Sequence, residues 1–132
     1  MEMSRQVEVV LSPKDFSWVG NGFCTTSYIG KDIPRERMDP FFALGYNAEI
    51  EFESTLIPKG VGAHPHKGFE TITFAYKGRI EHRDSLGNHS IVKEGGVQWM
   101  TAGRGLVHAE HHEKEWAKKG GVFQMVQLWL NL

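Results

Sequence analysis

His64-Pro65-His66-Lys67-Gly68-Phe69-Glu70-Thr71-Ile72-Thr73-Phe74-Ala75-Tyr76-Lys77 is the stretch whose reading decides the fold. Successive side chains of an extended chain point to opposite faces. Its even positions include Ile72, Phe74 and Tyr76, whereas its odd positions include Thr71, Thr73 and Lys77. Read as one unbroken strand, the even face turns inward and takes His64, His66 and Glu70 with it. Pro65 is where such a strand bends most easily, so the parity is firmest from Gly68 onward.

Working outward, short alternating segments bounded by turn residues lie on both sides. Upstream, Val7, Val9 and Leu11 read as a strand ended by Pro13, and Asn21-Gly22 reads as a turn. Residues 31–40 are charged, hold Pro34 and Pro40, and read as a loop. Glu49-Ile50-Glu51-Phe52-Glu53 alternates as a half-exposed strand does. Downstream, Ile80 to Asp84 and His89 to Val92 flank a hairpin loop at Ser85-Leu86-Gly87-Asn88. Val97 to Met100 is a further short strand, and Gly103-Arg104-Gly105 a tight bend. Leu106, His108 and Glu110 share one face of the next strand. Residues 111–119 are the single expected helical turn, stopped by Gly120-Gly121. The closing strand, 122–132, is apolar on both faces, with Phe123, Met125 and Trp129 on one and Val126, Leu128 and Leu130 on the other. Many short strands with glycine turns between them predict an all-β sandwich or barrel.

Composition narrows the function. The 132 residues suit one domain, and 15 Lys and Arg against 16 Asp and Glu leave a net charge of −1. That balance excludes a basic nucleic-acid arm, so no direct nucleic-acid partner is expected. A hydrophobic content of 40% excludes wholesale disorder. The single cysteine, Cys24, permits no disulfide within the chain and reads as a small, buried or half-buried residue. Met1-Glu2-Met3-Ser4-Arg5-Gln6 lacks the apolar core of a signal peptide, and no apolar run nears the ~20 residues that span a bilayer. These features predict a soluble, cytoplasmic protein without a membrane partner.

All seven histidines lie between His64 and His112. His64-Pro65-His66 and His108-Ala109-Glu110 both place two potential ligands at i and i+2, which project the same way from extended chain. Facing one another inside a barrel, His64, His66, His108 and Glu110 bring nitrogen and oxygen donors onto one ion at ~2.0–2.2 Å. A donor set without thiolate suits Fe(II), Mn, Ni, Cu or Zn. A rival site pairs His108 with His112 at helical spacing and requires residues 108–112 to be helical. His82 and His89 flank the hairpin turn and read as exposed. His111 and His112 sit beside Glu113, Lys114 and Glu115 and read as solvated. An inward Glu70 needs a partner, and reads as an outer group that orients a ligand imidazole. Met100 and Arg104 read as a core residue and a plain turn residue.

Three strings carry a family resemblance: His64-Pro65-His66-Lys67-Gly68-Phe69-Glu70-Thr71, Gln98-Trp99-Met100-Thr101-Ala102-Gly103-Arg104-Gly105-Leu106-Val107-His108-Ala109-Glu110, and Gln127-Leu128-Trp129-Leu130-Asn131-Leu132. Together with Asp39-Pro40-Phe41, they closely resemble the N-terminal domain of pirins, members of the cupin superfamily. The resemblance implies a single cupin jelly-roll β-barrel, a double-stranded β-helix, over residues 1–132. It implies one metal, usually iron, held by His64, His66, His108 and Glu110, with Glu110 also the candidate base. It implies either a quercetin 2,3-dioxygenase-type oxygenase acting on a flavonol or related catechol, or a non-catalytic, iron-dependent regulatory module that binds a protein partner. The chain departs from the pattern in length, since pirins typically carry two cupin domains and the second is not expected here. It also departs in a longer segment before His64, and at Pro58 and Gly103 of the general cupin motifs. The apolar outer side of the last strand predicts a homodimer.

Overall fold

The computed structural model describes residues 5–132; Met1 to Ser4, part of the polar N-terminal stretch, lie outside the described residues. Ten strands and two helical turns follow in order: β1 (Ser17–Val19), β2 (Phe23–Ser27), α1 (Arg35–Met38), β3 (Phe41–Phe52), β4 (Gly60–His66), β5 (Phe69–Lys77), β6 (Ile80–Asp84), β7 (His89–Val92), β8 (Val97–Thr101), β9 (Leu106–His112), α2 (Lys114–Ala117) and β10 (Gly121–Asn131). They form a six-stranded sheet, β1-β2-β3-β10-β5-β8, and a four-stranded sheet, β4-β9-β6-β7. Every strand pair is antiparallel. From β3 to β10 the chain passes from one sheet to the other at each connection except the β6–β7 hairpin. This is the expected all-β cupin jelly roll.

The decisive stretch is two strands rather than one. The break falls at Lys67-Gly68, where Gly68 adopts a φ of +80° that side-chain-bearing residues rarely accept. His64 and His66 lie on β4 in the small sheet, and Phe69 to Lys77 form β5 in the large one. The turn resets the parity. On β5 it is Thr71, Thr73 and Ala75 that are buried inward, whereas Tyr76 is exposed. Glu70 therefore sits on the outer face, paired with Thr101 across the ladder. It accepts hydrogen bonds from Trp99 Nε1 and Thr101 Oγ1, each at 2.7 Å. This corrects the expected role for Glu70: its described bonds go to none of the three candidate ligand imidazoles.

β4 has its own irregularity. Val61 pairs with Glu110 and His64 with His108, so β4 spends one extra residue between them. That bulge lets Val61 and His64, of opposite parity, both face inward. Gly60 begins the strand because a side chain there would collide with the Glu110 carbonyl oxygen at 2.3 Å. Pro65 sits on this edge strand, where its missing N–H costs no ladder bond to a further neighbour.

Two apolar clusters fill the ends of the barrel. The larger holds Phe23, Phe52, Ala75, Ile80, Val92, Phe123 and Met125, with Trp116 against it; the smaller holds Met100, Ala102 and Leu106. Met100 is thus a core residue, as expected. Each fully buried residue such as Ile80 or Phe123 stabilises the fold by roughly 1.5–3 kcal/mol.

Four further expectations need correction. Residues 7–11 form no strand, and Val7 and Val10 are at least 80% exposed, because their alternation meets no sheet edge. The 31–40 loop contains α1 directly after Pro34, whose fixed φ is compatible with a helix start. The helical turn expected over 111–119 shrinks to Lys114–Ala117, capped by Glu113, whose carboxylate accepts from the Glu115 and Trp116 backbone N–H groups. His111 and His112 belong to β9, paired with Gly60 and Ile80, which rules out the helical His108–His112 site.

Candidate metal centre

The inner face of the small sheet carries the polar groups in rows. His64, His108 and Asp84 form one row across β4, β9 and β6; Val61, Glu110 and His82 form the next. Along β9 this polar band lies between Leu106 of the smaller cluster and His112 at the larger one. The dyads therefore face each other because β4 and β9 are neighbours, and the bulge brings them into step.

Three of the four sequence candidates converge. His64, His66 and His108 offer ring nitrogens that all lie within 4.8 Å of one another. The rings of His64 and His108 are 4.3 Å apart, and those of His66 and His108 4.7 Å. Glu110 falls in a second group at the same limit, with His108 and His82. His108 is the shared member. All four candidates face the inside of the barrel, and His64, His66 and Glu110 line one chamber of about 320 Å³.

The chemistry of the donors suits a cation. His64 Nδ1 lies 2.8 Å from the Gly62 carbonyl oxygen and donates to it, so Nε2 is the ring nitrogen free to serve as a ligand. Among the described residues, His108 Nε2 is buried without a hydrogen-bond partner. Burial, with the neighbouring His64, lowers the His66 pKa to about 4; burial, then His64 and His66, lowers that of His108 to about 3. Both imidazoles are neutral at pH 7 and available as ligands. Glu110 is 4% exposed, and burial pushes its pKa up against the weaker opposing effect of its hydrogen bonds. Among the described residues it accepts from neutral donors, Gln127 Nε2 at 3.1 Å and Thr73 Oγ1 at 3.4 Å. A buried carboxylate without a cationic partner takes up a proton or a cation. The residues present therefore fit a divalent metal ion.

The chamber beside these donors is largely apolar. Phe23, Val61, Ala43, Met125 and Trp129 contribute to its wall, with Gln127 and Asn47 as polar points. Trp129 also stacks on Phe69 and meets the His66 ring edge-on at 5.2 Å.

His82 was missed. It is 2% exposed, 3.3 Å from His108 through the two Nδ1 atoms. The signal was present: His82 shares parity with Ile80, and Ile80 is fully buried. His112 was also misplaced. It is 1% exposed, packed among Phe52, Phe23, Trp116 and Phe123, with Nε2 donating to the Gly22 carbonyl oxygen. His89 is exposed as expected and reaches Glu81.

Comparison with known proteins places these residues in context. The pirin family model matches residues 22–130. A protein of Pseudomonas aeruginosa, provisionally named a quercetin 2,3-dioxygenase, is 43% identical over 115 residues, covering 87% of this chain and 40% of its own. The crystal structure of quercetin 2,3-dioxygenase from Acinetobacter baumannii is 47% identical with a TM-score of 0.86, covering 90% of this chain and 41% of that one. A bacterial pirin from Escherichia coli, solved in complex with nickel(II), shares the fold at 24% identity and a TM-score of 0.64, covering 89% of this chain and 48% of that one. The chain spans about two fifths of the length of the first two.

Proposed function

The chain belongs to the pirin family, and from that premise we propose that it is a mononuclear metal cupin, loaded with Fe(II), that oxygenates a flavonol or a related enediol or catechol in the manner of a quercetin 2,3-dioxygenase. The observation that carries this reading is the convergence of His64, His66 and His108, with Glu110 beside them, on an apolar chamber of about 320 Å³. His64, His66, His108 and Glu110 are the proposed ligands. The nickel(II) in the Escherichia coli relative keeps Ni among the alternatives, with Mn, Cu and Zn.

A bound Fe(II) supplies Lewis acidity and a path for electrons between the hydroxylated ring and O2. The chain supplies the rest. Trp129, Phe23 and Met125 take up the flat rings and exclude water. Glu110, made more basic by burial, accepts the substrate hydroxyl proton at a carboxylate oxygen. Gln127 donates to that carboxylate and holds it in line. The test is anaerobic Fe(II) loading followed by O2 uptake with quercetin. Uptake dependent on both metal and quercetin is expected; none, at stoichiometric metal, overturns the catalytic reading.

We further propose a homodimer, which is compatible both with the catalytic reading and with its alternative, a non-catalytic, iron-dependent regulatory module that binds a protein partner. The outer face of the large sheet carries two apolar rows, Leu44-Leu128-Ile72-Trp99 and Tyr46-Val126-Phe74-Val97, aligned by cross-strand pairing. Val97 and Trp99 are more than half exposed. These rows hold no charge, so a like face stacks on them without burying an ion, and a second copy of the chain is the proposed occupant. Light scattering at micromolar concentration is expected to give a dimer; a monodisperse monomer overturns that contact.

A further inference from the structure

His82 has no place in the ligand set, yet its surroundings constrain it closely. Its Nδ1 lies 3.3 Å from His108 Nδ1. On its other side, Nε2 lies 3.6 Å from Asp84 Oδ2. Asp84 is fixed by the hairpin loop: Oδ1 accepts from the Leu86 and Asn88 backbone N–H groups at 2.9 and 3.0 Å, and Oδ2 accepts from Asn88 Nδ2 at 2.9 Å. Asp84 and His108 are also direct partners across the ladder.

A neutral imidazole has one N–H and one lone pair. A hydrogen bond between two ring nitrogens needs one proton between them, from one ring or the other. The Asp84 carboxylate breaks that tie, because it only accepts. The contact is electrostatic at 3.6 Å: a His82 ring with a single proton places it on Nε2, toward the carboxylate, and its Nδ1 is bare. The proton between the rings then belongs to His108 Nδ1. His108 Nε2 is left as a lone pair, and that is the buried atom without a partner.

Resting on the metal reading above, we propose that His82, oriented by Asp84, is a positioning residue that fixes the tautomer of His108 and presents its Nε2 to the metal. The arrangement ties the Ser85-Leu86-Gly87-Asn88 loop to the metal centre through three side chains in series: Asp84, His82 and His108. The rival geometry uses His82 itself as a ligand in the His82, His108 and Glu110 group. Where that geometry takes His108 through Nδ1, it leaves a protonated Nε2 buried with no acceptor, which buried donors rarely tolerate.

Long-range proton–nitrogen NMR on the ¹⁵N-histidine-labelled chain, metal-free and Zn(II)-loaded, tests this directly. The expected result is an Nδ1–H tautomer of His108 in both states, with the coordination shift on Nε2 in the second. A proton on His108 Nε2, or a coordination shift on His108 Nδ1 or on His82, overturns the proposal. His82→Leu is expected to weaken Zn(II) affinity by roughly 10–100-fold in chelator competition. His82→Gln, whose amide oxygen accepts from His108 Nδ1, is expected to recover most of that loss and the tautomer. Wild-type affinity in His82→Leu, or no recovery in a folded His82→Gln, overturns it. If His82→Leu does not fold, the wild-type spectra and His82→Gln decide. Failure of the wild-type chain to bind zinc overturns the metal reading, whereas the wrong tautomer overturns this proposal alone.

Discussion

His108 and His112 stand four residues apart on the same face of β9, and both are almost fully buried. Burial lowers the pKa of both, to about 3 for His108 and about 4 for His112. Their neighbourhoods differ. His112 sits among Phe23, Phe52, Trp116 and Phe123, and its Nε2 has an acceptor in Gly22. His108 sits among His64, His66 and His82, and its Nε2 has none. One imidazole is a satisfied wall component; the other is a donor with nothing to bind. Burial and a depressed pKa alone do not mark a site. Convergent donors with a nitrogen left over do.

The largest effect that separates the two ends is on metal. His64→Ala is expected to weaken metal binding by more than about 100-fold, because losing a ligand exceeds the 10–100-fold typical of losing its supporting partner. His112→Ala is expected to leave affinity unchanged. Chelator competition measures both, and comparable losses would erase the distinction between the two ends.

Stability is expected to show the reverse order. His112→Ala removes a buried ring from the aromatic cluster and is expected to cost about 3 kcal/mol in denaturant unfolding. In the metal-free chain, His64→Ala, at a half-buried position, is expected to cost less than about 1 kcal/mol. An equal cost at both would mean that the metal end also carries the core.

Acid sharpens the contrast further. A histidine held neutral by the fold has a folded pKa below its unfolded value of 6.5. Between the two values the unfolded chain binds more protons, so stability falls as pH drops from about 6.5 to about 4 and is flat above 6.5. His112→Phe keeps the ring packing and removes the titration. Its acid loss is expected to be smaller than wild type by up to about 3 kcal/mol. Parallel wild-type and variant curves would show that His112 is not neutral in the fold.

The smallest effect concerns the outer face. Glu70→Gln keeps an acceptor oxygen for Trp99 Nε1 and offers an NH2 donor to Thr101 Oγ1, and is expected to change stability by under about 1 kcal/mol and metal affinity not at all. A tenfold loss of metal would restore Glu70 to the site.

Much of this was legible in the residues. Alternation in Glu49 to Phe52, in Ile80 to Asp84 and along Leu106-His108-Glu110 marks strands, because a half-buried strand must alternate. The His64-Pro65-His66 and His108-Ala109-Glu110 dyads point to a metal, because i and i+2 share a face. Where the reading failed, the missing information was nonlocal. Residues 7–11 alternate but have no partner strand. His112 looks solvated beside Glu113 and Lys114, yet its ladder partner Ile80 draws it into the core.

By itself, then, the sequence determined the strand-rich architecture, the residue types of the candidate metal site and the family strings, since these depend on local period and composition. Tertiary structure alone decided three things. A positive φ at Gly68 divided the opening stretch between two sheets and turned Glu70 outward. A one-residue bulge in β4 aligned His64 with His108. Packing of β6 beside β9 brought His82 and Asp84 against His108. Each depends on which strand lies next to which, and a side chain's partners follow from that pairing rather than from its neighbours in the chain.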